Sequence, residues 1–499
     1  MAFACVMLAL SSSARAATAP TFTNPVIPGD HPDPTVMRDG GLFYASATSD
    51  SWAPIFPIFR SSDLVNWTQV GAVLPRAPAW ATGSFWAPEL VRWNGRVFAF
   101  YSATERSGPH CIGVATARRP EGPWKDGGRV LCRAIGAIDP APVTDTDGSH
   151  WLVYRAMGPG NGLWAARFSL RILRLVGPRY PLLFPDQPWE RGVVEGPTVA
   201  RVGGLWYLFY AGGSCCSPPC SYSEGVARAP TLRGPYLKDP GNPLLRSGNG
   251  WKCAGHGTLV WAGNELRMLH HATRQGDRSG RRTTMLDPIA FGADGWPQIG
   301  GDGEPVEEGL SPMGALQTPS AGGFSDAFDG TSLAPGWEWP LFRPPAVRVG
   351  KGSLMLSCRG TKLAPAFVAR QANAGHFTAV ASIPLTGIRG TAAVGIAVHG
   401  PGSLLRALEL RAGALRSVRI LNGTLQVGPA VPAPPGPRPR LAITVAQNGS
   451  LSTYASGDGK TYVTVPAGPA AVGPPPTRVA LTCRGTGSAR FAAVSVRPV

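Results

Sequence analysis

One aromatic strand core recurs five times in the first three hundred residues. It reads LFYASAT from Leu42, VFAFYSAT from Val97, HWLVYRA from His150, LWYLFYAGG from Leu205 and LRMLHHAT from Leu266, at spacings of about 53 to 61 residues. After the first, second and fourth cores a further strand ends in a turn: FRSSDLVNW, GVATARRPEGPW and GVARAPTLRGPY. A repeat of roughly fifty residues with several short strands is the signature of propeller blades, each of which buries its faces only against its neighbours. The expectation is an all-β chain with a five-bladed β-propeller over residues 21–299. The 64 glycines and 51 prolines, without a collagen-like period, fit a turn-rich β protein.

Shortly before each core stands a polar or aromatic residue beside Pro or Gly: HPDPTV, FWAPEL, AIDPAPV, VEGPTV and AGHGTL. Each opens the first strand of its repeat, the strand nearest a propeller axis. Equivalent phase therefore brings Asp33, Trp86 with Glu89, Asp139, Glu195 and His256 into one axial pocket. Any one motif alone reads as turn chemistry; recurrence at one phase favours a site. Glu89 stays unassigned, as a carboxylate that pairs with an arginine at the blade edge. Asp145 and Asp147 in TDTDGSH read as a hairpin turn.

Three carboxylates crowded in one pocket cannot all titrate as free acids. Burial and mutual repulsion raise at least one, separating a proton donor from an acceptor. Cleavage of a glycosidic bond needs that pair, set roughly 6.5–9.5 Å apart when configuration is inverted. Trp86 or Phe85 would stack on the apolar face of a sugar.

The set GDHPDPTV, WAPEL, AIDPAPV with its TDTDG turn, VEGPTVARVGGLWYLFYAGG, CAGHGTLV and DGWP resembles glycoside hydrolase family 43 over about Asn24 to Pro297. The resemblance implies a five-bladed propeller and inverting hydrolysis of β-D-xylosides and α-L-arabinofuranosides. It implies Asp33 as general base, Glu195 as general acid and Asp139 as the residue that orients Glu195 and keeps its pKa raised. Arg282 in RRTTML matches a substrate-contacting arginine, with Arg281 the adjacent alternative. His256 matches a histidine that contacts substrate, and in some members belongs to a metal or water site. A structural calcium at the axis, held through His256, is thus one expectation, and no cofactor is expected to be required. Implied partners are arabinan-, arabinoxylan- and xylan-derived saccharides. An endo-arabinanase on the same fold and a non-catalytic carbohydrate-binding propeller are the rival readings. A fructan-acting enzyme would need Asn-Asp-Pro, Arg-Asp-Pro and Glu-Cys motifs that the chain lacks.

The net charge of +17 argues little for nucleic acid, because only six of the 47 basic residues are lysine and the arginines are scattered. No apolar run approaches membrane-spanning length. Residues 1–16, with an apolar stretch from Ala2 to Leu10 ending at Ala14-Arg15-Ala16, read as a signal peptide. This implies a secreted or periplasmic protein. Removal of Cys5 leaves eight cysteines, an even number in an oxidising compartment. Cys111 with Cys132, and Cys358 with Cys483, are expected to pair. The loop carrying Cys215, Cys216 and Cys220 is expected to bridge to Cys253 with the partner open; a zinc knuckle is the lesser alternative. Residues 300–323 read as a linker without strand pattern. Residues 324–499, with strands such as FTAVASI, TAAVGIAV, RLAITVAQNG and RVALTCRG, read as a β-sandwich of jelly-roll or concanavalin-like type. Few aromatics follow Trp339, so this part is expected to shape the pocket rather than bind polysaccharide.

Overall fold

The structure, a computed structural model, describes residues 19–106, 108–216, 219–319, 322–359, 364–400, 404–466 and 475–499. The expected signal peptide lies outside the described residues. Five four-stranded antiparallel sheets follow one another along the chain. Blade 1 comprises Thr35–Asp39, Leu42–Ser46, Ile55–Ser61 and Thr68–Leu74; blade 2 comprises Ala81–Trp93, Arg96–Glu105, His110–Ala117 and Lys125–Cys132. Blade 3 comprises Ala137–Thr144, His150–Ala156, Gly162–Ser169 and Arg174–Leu183. Blade 4 comprises Val194–Val202, Leu205–Gly212, Ser223–Ala229 and Leu237–Lys238; blade 5 comprises Trp251–Ala262, Glu265–Arg274, Thr283–Phe291 and Pro297–Ile299. Each first strand touches the next, and that of blade 5 touches that of blade 1, so the sheets close a ring.

The aromatic cores are the second strands. Leu205–Gly212 is buried at every position after the first, because both faces of a blade pack on neighbouring blades. Alternation is therefore replaced by continuous apolar sequence. The segment before blade 1 latches onto blade 5. The Asn24 side chain accepts the Leu286 amide hydrogen and donates to the carbonyls of Leu286 and Val306. The supposedly strandless stretch 300–323 holds one short strand, Glu308–Leu310, paired with Thr21–Thr23. Three residues are too few to show periodicity.

Beyond residue 323 two large sheets share one core that includes Phe377, Ile396, Leu408, Ile443, Leu481 and Val494. Strand Phe377–Ser382 alternates buried and half-buried residues as a sandwich face should. One sheet does not stop at the domain edge: Trp337–Pro340 pairs with Trp52–Ala53 of the propeller. Trp52 is gripped there by the Arg478 guanidinium, 4.0 Å above its ring, and by His399 at 5.1 Å edge-on. Arg478 is ion-paired with Glu338 at 2.6 Å. Gln371 hydrogen-bonds the backbone of Asp30, and Arg281 donates to the Ala372 carbonyl.

Candidate active site

The five axial motifs share a backbone device. Asp33, Ala87, Asp139, Gly196 and His256 all have φ between 45° and 54°, in the left-handed region. Each precedes Pro or Gly. In blades 2 to 5 the pairing register slips at this point, leaving a bulge. A bulge re-aims side chains, and left-handed non-glycine residues persist only where surroundings over-determine them.

The surroundings form a circular relay. The amide hydrogen of Asp33 is donated to His271 of blade 5 at 3.2 Å. That of Ala87 goes to Thr48 of blade 1, and that of Asp139 to Ser102 of blade 2. That of Gly196 goes to the Asp139 carboxylate of blade 3 at 3.0 Å, and that of Gly257 to Glu224 of blade 4 at 3.3 Å. Each blade thus holds the left-handed turn of the next. Gly196 has a further reason to be glycine: a Cβ there would lie 2.8 Å from Cγ of His256.

Asp33 is buried and surrounded by donors. Thr48 donates to Oδ2 at 2.6 Å; Oδ1 faces Arg282 at 3.2 Å, His271 at 3.3 Å and His256 at 3.6 Å. Burial alone would raise this carboxyl, but Arg282 first and then His256 overcome it and hold it well below the usual range. Burial in turn lowers His271 to about 4, so it stays neutral. Glu195 is ion-paired with Arg155 and accepts the Tyr222 hydroxyl at 2.8 Å. Asp139 is buried, and that burial, with Glu195 and Asp33 nearby, pushes it up to about 6 against the pull of His256 and Arg155. The group therefore sorts into a carboxylate held ionised, a carboxyl pushed upward, and a carboxylate gripped by one cation and one phenol.

At the rim the Trp86 indole donates to Asp50 at 2.9 Å and stacks on His110 with ring centroids 4.4 Å apart. The structure brings Asp33, Asp139, Glu195 and His256, of one repeat phase, together with Arg282, which the resemblance supplied: Arg282 and His256 face Asp33, and Asp139 binds the amide next to Glu195. Arg282 and not Arg281 faces Asp33; Arg281 turns to the sandwich. Phe85 is a correction. It is fully buried among Phe56 and Tyr101 and cannot meet a sugar, because alternation turns it away from Trp86 into the core. Glu89 is another: it accepts the Thr35 hydroxyl at 2.9 Å, not an arginine, and burial reinforced by Asp139 pushes it up to about 8. Calcium takes six to eight oxygen ligands, backbone carbonyls and waters among them. Among the described residues no group of three or more His, Cys, Asp or Glu side chains is placed to hold a metal.

Sequence reasoning missed Thr48, Ser102, Arg155, Tyr222, Glu224 and His271. A signal existed for four of them. Thr48, Ser102, Arg155 and His271 stand near the ends of the aromatic cores, a second phase of the same repeat. Tyr222 and Glu224 follow the cysteine loop and carry no repeat signal.

Cys111 bonds Cys132 and Cys358 bonds Cys483. In the loop of blade 4, Cys220 bonds Cys253, and Cys215 bonds its neighbour Cys216; no zinc knuckle remains. A cleft of about 1150 Å³ runs from Thr48, Asp50 and Arg282 past Cys215 and Cys216 to Trp52, Gln371 and Arg478, so the sandwich forms part of its wall.

A family model for glycosyl hydrolases family 43 matches residues 22–297. The chain is similar to a non-reducing end alpha-L-arabinofuranosidase of Bacteroides ovatus, 28% identical over 399 residues, 73% of this chain and 70% of that protein. It is also similar to an extracellular endo-alpha-(1->5)-L-arabinanase of Bacillus subtilis, 27% identical over 53% of this chain and 86% of that one. A solved xylan beta-1,4-xylosidase from Bacillus halodurans superimposes over 95% of this chain and all of its own, with a TM-score of 0.79 at 22% identity, and shares the two-part fold. With the propeller, its axial carboxylates and the matched region in agreement, the chain belongs to glycosyl hydrolases family 43, a family of inverting glycoside hydrolases.

Proposed function

We propose that this inverting glycoside hydrolase is exo-acting and removes terminal α-L-arabinofuranosyl or β-D-xylosyl units from arabinan-, arabinoxylan- or xylan-derived saccharides. The observation that carries the reading is that two axial carboxyl groups are held by separate sets of partners. Asp33 is held ionised by Arg282 and His256, while Glu195 is gripped separately by Arg155 and Tyr222. Asp33 takes a proton from water, and the water oxygen attacks the anomeric carbon from the face opposite the leaving group. The glycosidic carbon–oxygen bond breaks as Glu195, acting in its protonated form, delivers that proton to the departing oxygen and returns to the carboxylate that Arg155 and Tyr222 stabilise. Asp139 binds the Gly196 amide and so anchors the backbone next to Glu195. Trp86 offers an aromatic face to the sugar. Exo action is supported by the sandwich, which stands across one side of the cleft at Trp52 and Gln371.

Export to the periplasm or medium is part of this reading. It is supported by four disulfides and by relatives named extracellular. Among the described residues no helix is long and apolar enough to cross a membrane.

The test is hydrolysis of the p-nitrophenyl glycosides of α-L-arabinofuranose and β-D-xylopyranose beside linear arabinan, with Asp33→Ala as control. Nitrophenol from wild type alone, with a product of inverted anomeric configuration by NMR, supports the reading and names the sugar. Shortened arabinan without nitrophenol would move the assignment to endo action. Sugar binding without turnover of any substrate would leave a binding propeller.

A further inference from the structure

The loop joining Leu205–Gly212 to Ser223–Ala229 in blade 4 contains two disulfides with different consequences. Cys220–Cys253 ties the loop to the strand that carries His256. It holds Tyr222, two residues on, against Cys253 and Ala211, where its hydroxyl reaches Glu195. Cys215–Cys216 joins neighbours in sequence. A crosslink stabilises a fold mainly by closing a long loop in the unfolded chain, and this one closes none. Its effect is local: it locks a small ring and presents two sulfurs as one rigid apolar face. Cys215 is half-buried against the Tyr222 and Cys253 cluster, and Cys216 is exposed. Both line the cleft shared with Thr48 and Arg282, the residues that hold Asp33.

Resting on the glycosidase reading, we propose that the Cys215–Cys216 disulfide is a wall of the leaving-group subsite, packing on the C–H face of the sugar that departs. The position follows from the acid. Glu195 protonates the oxygen of the departing sugar, so a segment that reaches Glu195 and also lines the cleft stands where that sugar lies. The cysteine loop is the segment that ends at Tyr222, the partner of Glu195. A polarizable sulfur surface packs well on apolar groups. Locking it in advance reduces the ordering cost of binding. A pair of free cysteines would offer the same atoms without the rigidity.

The test compares two substrates that share the cleaved sugar and differ in what leaves. One is arabinotriose or xylotriose, whichever the wild type hydrolyses; the other is the matching glycosyl fluoride, whose leaving atom is too small to reach the wall. In the Cys215→Ser/Cys216→Ser variant, the ratio of kcat/KM for trisaccharide to that for fluoride should fall roughly tenfold, mostly through KM. An unchanged ratio overturns the proposal, and equal losses on both substrates reassign the disulfide to support of Tyr222. If the variant does not fold, a second measurement decides. Glu195→Gln protein is treated with a water-soluble phosphine and iodoacetamide, with and without saturating trisaccharide. Protection of Cys215 and Cys216 by trisaccharide, but not by the free monosaccharide, supports the wall; equal alkylation in all cases rejects it. A wild type inactive on trisaccharide and fluoride alike would instead remove the glycosidase reading and this proposal with it.

Discussion

Tyr222 donates its phenolic hydrogen to Oε1 of Glu195 at 2.8 Å, from the end of the cysteine loop just before strand Ser223–Ala229 and outside the axial motifs. Burial first, then the charges of Glu195, Asp139 and Asp33, push the phenol well above its ordinary range. It therefore stays a donor at any working pH. Tyr222→Phe keeps the ring and deletes that donor. A hydrogen bond to a charged group is worth about 1.5–3 kcal/mol. Hydrolysis of unactivated saccharides should thus slow by roughly tenfold to a hundredfold. A nitrophenyl glycoside, which needs less proton donation, should lose much less. Equal losses on both would show that Tyr222 does not act through the acid.

Gly196 is the one member of the left-handed ring that has no side chain, and His256 occupies the space. Gly196→Ala adds a methyl in contact with that imidazole at φ +54°. Strain of about 1–3 kcal/mol is expected, as is displacement of His256 from Asp33. The activity loss should exceed the change in melting temperature: kcat should fall at least tenfold in a protein that still unfolds cooperatively. A variant with wild-type kcat would separate His256 from the catalytic group.

Glu89 titrates in the direction of a buried acid. Its carboxyl is raised from 4.5 to about 8 in the folded protein, by burial and then by Asp139. Between those values the folded state holds a proton that the unfolded state has released, so this group's contribution to stability declines as pH rises from about 4.5 through 8. Glu89→Gln keeps an acceptor for Thr35 and removes the titration. The melting temperature of the variant relative to wild type should therefore climb from pH 4.5 to 8 and level off above. A difference independent of pH would show that Glu89 titrates as a solvated acid.

Arg478 joins the two halves of the molecule, stacked on Trp52 of the propeller and paired with Glu338 of the sandwich. Arg478→Ala leaves the mostly buried Glu338 without its cation, a loss toward the lower end of about 3–5 kcal/mol. The first unfolding transition should fall by on the order of ten degrees. Because Trp52 adjoins the Asp50 turn that positions Trp86, kcat/KM should fall too. Stability lost with kcat/KM intact would show that the sandwich braces the fold without shaping the pocket.

Much of this protein is legible in one dimension because the fold is periodic. Five copies of an aromatic core announce five sheets, and a polar residue before Pro or Gly at one phase marks the axis. Asp33, Asp139, Glu195 and His256 could be placed together on that basis alone. Phe85 departs from the expectation because adjacent residues in a strand face opposite ways, and sequence alone does not say which of Phe85 and Trp86 faces the rim. Arg282 could not be separated from Arg281 because the two adjoin in the loop before strand Thr283–Phe291, where sequence does not show which one turns inward.

The repeat itself, the axial motifs and two cysteine pairs were determined by sequence, since each follows from local pattern or even count. What tertiary structure decided are the relations between blades. His271 supports Asp33 and Glu224 supports Gly257 across a ring whose first and last members lie more than two hundred residues apart. Cys216 takes Cys215 and leaves Cys220 to Cys253; Trp52 ends in a sheet of the second domain. None of these has a local signature. A hydrogen bond across a closed ring depends on where the chain returns in space, and that position is set by the packing of all five blades together.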